Sequence, residues 1–599
     1  MRLPIFAATG PLGWLAVAIA ATIIWALPLV LNDAFFILVL QSLAYLYIAA
    51  IGVDILVGWT GQISLGHAGL YAVGAYTSAL LATKAGFPFW VSAPLGVIAA
   101  GFAGVVLALP SLRAKGPYLA MVTLAFGFMV EVTANRWDFT GGPMGIMAIP
   151  GPTLPSGAEM NPTQYFWLIG GIALLVQMLA ANLYRSRVGR TLFALQGSEV
   201  AAETLGINVY AWKVVGFVVS SACAGLGGVF FAHQNGFINS DTFVFGLSVQ
   251  MLTSVLMGGT GTLLGPLVGS VILNLLPTVF AHLHEYHLYI YGGIILVTIV
   301  FLPKGIVGSL LLLRSVRRLL PKKEQGVLPD PSVLRDLGHS TGMTLSARGL
   351  SKHFGGIRAL SNVDLDITPG TVHGLIGPNG SGKSTFVNVL TGIYRPTAGS
   401  VEIAGLQVAG ASPHMMARMG VTRTFQSIRL FGDLTVLDNV MVGFHLGLRR
   451  GFFAHLLQTR GAVDEEAAFR ARALALLAFV GIADRANDLS QNLSYGQQRL
   501  LEIARALAAR PKLLLLDEPA AGVNPTELNH LAAIIGQIKA AGVTQIVIEH
   551  HMELIMGISD TISVLDFGEK IAEGTAANVR ADPKVIEAYL GAPTEGMHA

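Results

Sequence analysis

The chain has 599 residues, 53% of them hydrophobic and only 12% charged, which is several times the usual domain size and calls for more than one domain and a membrane part. Its formal charge of +3 is too small and too evenly spread for a nucleic-acid footprint, and no Lys/Arg stripe with interleaved aromatics occurs, so nucleic acid is not an expected partner. The single cysteine, Cys223, excludes an intrachain disulfide and a cysteine-based metal site.

The charges divide by position. Residues 1–310 hold 19 of the 73 Asp, Glu, Lys and Arg, leaving 54 for the other 289 residues, so the first half suits lipid and the second half suits water. The apolar stretch Trp14–Leu31 follows Arg2 but has no small-x-small cleavage site and is succeeded by many more apolar runs, so it is read as a first membrane helix and not a signal peptide. A bilayer core needs about 20 apolar residues per helix. By that yardstick the candidate spans are Trp14–Leu31, Ala34–Val57, Ala68–Leu81, Val91–Leu109, Tyr118–Val132, Phe166–Leu183, Val214–Phe231, Phe245–Met257, Leu264–Phe280 and Leu288–Leu302. Several are short or broken by glycine, which gives an expected all-α polytopic transmembrane domain of eight to ten helices, the glycines letting helix backbones approach.

Arg185, Arg187, Arg190 and Lys213 flank one loop, and Arg314, Arg317, Arg318, Lys322 and Lys323 follow the last span, which puts both on the cytoplasmic side. Asp241 and Glu285 fall in short loops assigned to the outer side. Gln62, Ser64 and His67 lie in a glycine-broken segment, where intramembrane polar groups either line a path or bond neighbouring helices. Asp54 and Glu131 are read as helix-end residues and not as ligands. The expected domains are a transmembrane domain over 1–313, a linker over 314–343 that mixes charge, Pro and Gly without apolar periodicity, and an α/β nucleotide-binding domain over 344–599.

In that last region Gly377-Pro378-Asn379-Gly380-Ser381-Gly382-Lys383-Ser384 fits G-x-x-x-x-G-K-S between a strand-like run, His373–Ile376, and a helix-like run, Thr385–Leu390. The glycines allow backbone N–H groups and a helix N-terminus to face the phosphates of ATP, Lys383 adds a positive charge, and Ser384 offers a hydroxyl to Mg2+. Downstream, Leu513–Leu516 is a buried-strand pattern ending in Asp517 and Glu518. Core packing does not need those two carboxylates; Asp517 suits the Mg2+ shell and Glu518 suits polarising the attacking water.

Leu493-Ser494-Tyr495-Gly496-Gln497-Gln498 resembles the signature sequence of the ATP-binding cassette family, with Tyr495 in place of the usual second Gly. The resemblance implies that Ser494, Gly496 and Gln497 close over nucleotide held by a partner cassette, so that two cassettes are needed for hydrolysis. It further implies that Phe354, 23 residues before Gly377, stacks on adenine, and that the P-loop contacts run on through Thr385. Gln426, after Phe425, is implied as the Q-loop residue, joining Ser384 and Asp517 around Mg2+, and His550 as the switch histidine, both acting beside Glu518. Asn524 stands where the family often has an aspartate, and His551 replaces a frequent acid.

Two membrane-half segments, Asp54–Tyr76 (DILVGWTGQISLGHAGLYAVGAY) and Ser186–Gly225 (SRVGRTLFALQGSEVAAETLGINVYAWKVVGFVVSSACAG), resemble permeases of the high-affinity leucine–isoleucine–valine transporter family. Gly258–Pro266 and Leu302–Gly308 extend the likeness. Within it, Val200-Ala201-Ala202-Glu203-Thr204-Leu205-Gly206 is similar to the x-A-A-x-x-x-G coupling loop of importer permeases, Val200 taking the usual Glu position with Glu199 next to it. The resemblances imply a type II importer-like half-transporter for branched-chain or related amino acids in a bacterial inner membrane. Its cassette faces the cytoplasm, and it works with an extracytoplasmic substrate-binding protein and a second permease and cassette, as a homodimer or hetero-oligomer. Import of urea or short amides by the same family is the nearest alternative. An exporter, or a soluble cassette ATPase tethered to membrane, is the more distant one.

Overall fold

The computed structural model describes residues 11–31, 33–111, 116–154, 157–279, 286–312 and 342–590. Glu285, the basic residues 314–323 and all but the last two residues of the expected linker lie outside the described residues. The described chain forms two compact units. The first takes the residues described within Met1–Gln196, Val209–Pro321 and Gly451–Val463; the second takes those within Gly197–Asn208, Lys322–Arg450 and Asp464–Ala599.

In the first unit the apolar runs form α1 (Pro11–Leu31), α2 (Ala34–Thr60), α3 (His67–Thr83), α4 (Phe89–Ser111), α5 (Pro117–Arg136), α6 (Pro162–Arg185) and α7 (Arg187–Gly197). After α8 (Glu199–Glu203), which belongs to the second unit, come α9 (Val209–Asn235), α10 (Phe245–Gly258), α11 (Gly265–Val279), α12 (His287–Phe301) and α13 (Gly305–Leu312). Each of the ten expected spans coincides with a helix. Among the described residues seven are long and apolar enough to cross a membrane: α1, α2, α4, α5, α6, α9, and α10 with the short turn before it. α3, α11 and α12, at 17, 15 and 15 residues, fall short of the about 20 that a straight crossing takes.

The helices pack closely because small residues sit at their crossings. Gly74 of α3 lies against the backbone of Gly225 in α9, leaving no room for a side chain. Between α2 and α3 the chain breaks: Gly61, at φ 70°, ends α2 by turning its N–H back to Leu56 and Val57. Backbone without helical partners must be satisfied internally at such a depth. Here hydroxyls do it, Thr123 Oγ1 accepting from Leu65 N–H (3.0 Å) and Ser248 Oγ from Ala68 N–H (2.8 Å). His67 Nε2 meets Ser220 Oγ at 2.7 Å, so this histidine joins helices. Gln62 is buried, with both amide atoms unpaired among the described residues.

Asp54 differs from its reading as a helix-end residue: it lies inside α2, buried, and accepts from Gly261 N–H (2.7 Å) and Trp59 Nε1 (3.1 Å). It thereby ties α2 to the turn between α10 and α11. The short piece Gly451–Val463 belongs to this unit through Asn182 of α6, which donates to the Leu456 carbonyl (3.0 Å) and accepts at its own carbonyl from Gln458 Nε2 (3.2 Å).

The second unit is α/β. Strands β1 (Leu345–Phe354), β2 (Ile357–Ile367), β4 (Ala398–Ile403) and β5 (Leu406–Gln407) form an antiparallel sheet in the order β2-β1-β4-β5. β3 (Val372–Ile376), β6 (Val421–Arg423), β7 (Leu513–Asp517), β8 (Thr544–Ile548), β9 (Thr561–Asp566) and β10 (Glu569–Gly574) form the second sheet, ordered β10-β9-β3-β8-β7-β6. β6, β7, β8, β3 and β9 run parallel, and β10 returns antiparallel along the edge. β3, β7 and β8 are buried at every residue, which is why they read as unbroken apolar runs. One apolar core, with Phe386, Leu513, Leu515 and Ile546, fills the space between the sheets, and another, with Leu514, Leu516, Val547 and Ile535, fills the opposite face.

Replacing Gly74 by Leu should overpack α3 against α9 and cost about 1–3 kcal/mol. The expected result is a lower unfolding midpoint of the detergent-extracted protein, read by the intrinsic fluorescence of its tryptophans.

Candidate nucleotide site

Parallel strands end on the same edge of a sheet, so the order β3-β8-β7-β6 brings four consecutive loops together. The loop after β3 is Gly377–Gly382, with Gly377, Gly380 and Gly382 at φ 151°, 83° and 99°, and it feeds the helix Lys383–Leu390. Only glycine adopts those angles without strain. Lys383 is buried and its Nζ donates to the carbonyls of Gly377 (2.7 Å) and Pro378 (2.8 Å) and to Ser381 Oγ (3.3 Å). Burial lowers its pKa, against the pull of Glu518 and Asp517. Ser384 is exposed in the first turn of that helix, where unpaired N–H groups and the helix dipole favour an anion.

β7 delivers Asp517 and Glu518, and the two differ sharply. Asp517 is buried: its Oδ2 pairs with Arg423 at the end of β6 (3.0 Å, side chains 3% and 4% exposed). Its Oδ1, also buried, has no partner among the described residues. Burial raises the Asp517 pKa and Arg423 opposes this. Buried polar atoms are nearly always paired, so an orphaned carboxylate oxygen beside the P-loop fits Mg2+, which binds through one or two carboxylates plus substrate phosphates. Glu518 is held in left-handed backbone, φ 47°, by its N–H bond to the Ile548 carbonyl (2.9 Å). Its Oε1 accepts from Gln426 Nε2 (3.0 Å), on the loop after β6, and meets His550 Nε2 (2.9 Å), on the loop after β8. Two residues 92 and 32 positions from Glu518 thus converge on one of its oxygens.

Phe354 closes β1 and stands 41% exposed, its ring edge-on to Tyr394 at 5.2 Å with Lys352 Nζ 4.9 Å above it. An exposed aromatic so fixed offers a flat face to a base. Ser494, Gly496 and Gln497 lie at the start of the helix Tyr495–Ala508. Ser494 caps the helix Tyr495–Ala508 in a reciprocal box with Gln497, and neither bonds the P-loop among the described residues. Gly496 faces the Glu527 carboxylate, and Tyr495 packs against Gly522. Asn524 is the N-cap of the helix Pro525–Ala540, while His551 N–H points to Glu549 Oε2 (3.4 Å).

Two residues escaped the sequence reading. Arg423 also donates to Asn388 Oδ1 (2.6 Å) and Thr391 Oγ1 (3.1 Å), so it joins the P-loop helix, β6 and β7. Buried Glu549 accepts from Ala520 N–H (2.6 Å) and His550 N–H (3.1 Å), fixing the turns after β7 and β8; burial raises its pKa. The one available signal was a charged residue at the C-terminal end of a buried strand in each case, Arg423 closing β6 and Glu549 following β8.

A P-loop and a paired-carboxylate strand in one parallel sheet, joined in a single chain to a multi-pass membrane unit, define an ATP-binding cassette transporter with an ATPase domain. A family model described as the permease component of the branched-chain amino acid transport system matches residues 35–300. The ABC transporter model matches 360–521, and a model of the branched-chain amino acid ATP-binding cassette transporter matches 569–594. The ATP-binding protein LivG of high-affinity branched-chain amino acid transport from Escherichia coli K12 is 44% identical over 41% of this chain and 97% of its own length. The permease protein LivM of Salmonella typhimurium LT2 is 32% identical over 43% of this chain and 67% of its own. A solved nucleotide-free ATP-binding cassette aligns over 42% of this chain and all of its own, with 33% identity and a TM-score of 0.37. The chain belongs to the branched-chain amino acid ABC transporter family and carries permease and ATPase components in one polypeptide.

Removing Arg423 strands the buried Asp517 carboxylate, and breaking a buried pair in this way costs about 3–5 kcal/mol. Arg423→Met should lower the denaturant midpoint of the second unit, and Arg423→Lys should recover little of it, because a lysine lacks the planar fork that reaches Asp517, Asn388 and Thr391 together.

Proposed function

We propose that the chain is a half-transporter that imports branched-chain or related amino acids across a bacterial inner membrane at the expense of ATP, with the cassette on the cytoplasmic side. It works with an extracytoplasmic substrate-binding protein and a second permease and cassette. The observation that carries the catalytic part is the convergence of Gln426 and His550 on one oxygen of Glu518. Import, and the amino-acid class, are supported by kinship with relatives named for high-affinity branched-chain amino acid transport.

Each site residue then has a task. Phe354 stacks on adenine. The loop Gly377, Pro378, Asn379, Gly380, Ser381, Gly382 and the helix start at Ser384 and Thr385 wrap the phosphates. Lys383, whose three donors rest on acceptors of its own loop, turns them to phosphate oxygens when nucleotide enters. Ser384, Gln426 and Asp517 hold Mg2+, which offsets charge on the phosphates. Glu518 orients and polarises the attacking water, its carboxylate aimed by Gln426 and His550. Ser494, Gly496 and Gln497, whose side chains and backbone make no bond to the P-loop among the described residues, act on nucleotide in the partner cassette, so that one chain is half a transporter.

Positioned general bases contribute about 10²–10⁴ to rate. Glu518→Gln should therefore lower ATP turnover at least about a hundredfold while ATP affinity stays unchanged. Uptake of labelled leucine by right-side-out vesicles carrying the chain with its binding protein should vanish in parallel, whereas inverted vesicles should show no ATP-driven accumulation of leucine at any stage. Turnover left intact would refute the role of Glu518, and efflux from right-side-out vesicles would refute import.

A further inference from the structure

The helix Tyr495–Ala508 carries three charged residues that the nucleotide site does not use, Arg499, Glu502 and Arg505, each 1–2% exposed. At spacings of three they share one face of the helix. Glu502 pairs with Arg499 at 3.3 Å and with Arg505 at 3.5 Å. An isolated pair or triad of this kind adds little stability, because desolvation offsets the attraction; its bonding pattern suggests another use. Every group of the triad reaches the same stretch of backbone. Arg499 donates to the carbonyls of Phe425 and Gln426, Glu502 accepts from Phe425 N–H (3.3 Å), and Arg505 donates to the Arg429 carbonyl (2.7 Å). The loop that presents Gln426 is therefore clasped between Phe425 and Arg429 by fixed charges on one helix.

At its far end the clasp continues. The Arg505 guanidinium stands 4.8 Å from the centre of the Phe431 ring. Phe431 is 1% exposed and pinned at both backbone groups by Asn439, which accepts from its N–H (3.0 Å) and donates to its carbonyl (3.1 Å). The other side of Phe431 lies against Gly197, so closely that a Cβ there would stand 3.1 Å from the ring. Gly197 opens the segment Gly197–Asn208, the stretch resembling a coupling loop, and that segment is part of this same unit.

We propose that the buried triad Arg499–Glu502–Arg505 is a positioning device that makes Gln426 and the segment Gly197–Asn208 move as one body, so that what happens at Glu518 is felt at Gly197. Charge-assisted bonds to backbone hold a loop in one of a few discrete arrangements and do not let it deform smoothly. Because Ser494 begins the same helix, an event at the signature end would reach Gly197 by the same route. The inference rests on the transport reading only for its purpose; the linkage itself is a property of the cassette.

The test uses the full chain with Cys223→Ser and Val200→Cys, the new thiol carrying an environment-sensitive fluorophore, in vesicles of phosphatidylethanolamine and phosphatidylglycerol. Mg-ATP should change the emission of this parent. Glu502→Gln should bind a fluorescent ATP analogue within about twofold of the parent yet lose the emission change at least about tenfold, since hydrogen bonds to charged groups are each worth that much. The triple replacement Arg499→Met, Glu502→Leu, Arg505→Met removes the charges at similar volume and should behave alike. The proposal is overturned if the parent does not respond, if either variant responds fully, or if both variants lose nucleotide binding, which would make the triad a folding element. Failure of leucine uptake in the parent bears on the transport reading alone.

Discussion

Everything catalytic in this chain depends on strand β7 lying between β6 and β8 with all three running the same way. A parallel order puts the ends of these strands and of β3 on one edge, so four loops far apart in sequence meet without any of them being long. The sheet must be buried on both faces to hold that order, and two apolar cores supply the burial. The charged groups then gather at that edge, Asp517 and Arg423 buried and Glu518 and His550 partly open. Glu518 shows the outcome: its unfavourable backbone angle is held by the neighbouring strand, and its carboxylate is aimed by the loops on either side.

The first unit answers a different constraint. Lipid supplies no hydrogen bonds, so a break such as the one between α2 and α3 is possible only where side chains replace the missing partners. Thr123 and Ser248 do this from α5 and α10, and Asp54 does it for the turn at Gly261. Of the three polar residues read as lining a path or bonding helices, His67 meets Ser220 of α9 and Ser64 accepts from Gly66 N–H, whereas Gln62 keeps both amide atoms unpaired among the described residues.

Much of this was legible in the sequence, for a physical reason. Membrane spans and buried parallel strands are runs of apolar residues, and the P-loop is contiguous with a strand before it and a helix after it, so local pattern carries the information. What escaped was long-range pairing. Arg423 reads as an ordinary charge until Asp517, 94 residues on, is seen against it. Nothing local in the sequence shows that the loop at Phe425 covers Arg499 and Glu502. Asp54 reads as a helix end because its partner is a backbone group 207 residues away. A charge on an otherwise apolar helix face is the trace such pairs leave, and it names neither partner.

That Gly197–Asn208 packs as part of the second unit, while α7 before it and α9 after it continue into the first, has a bearing on assembly. In a system built from separate subunits, this docking is an equilibrium set by how much of each protein the cell makes. Placing both on one polypeptide turns it into an intramolecular event at an effective concentration of order millimolar. Permease and motor are then present in equal number by construction, neither outlives the other, and dilution during extraction from the membrane cannot separate them.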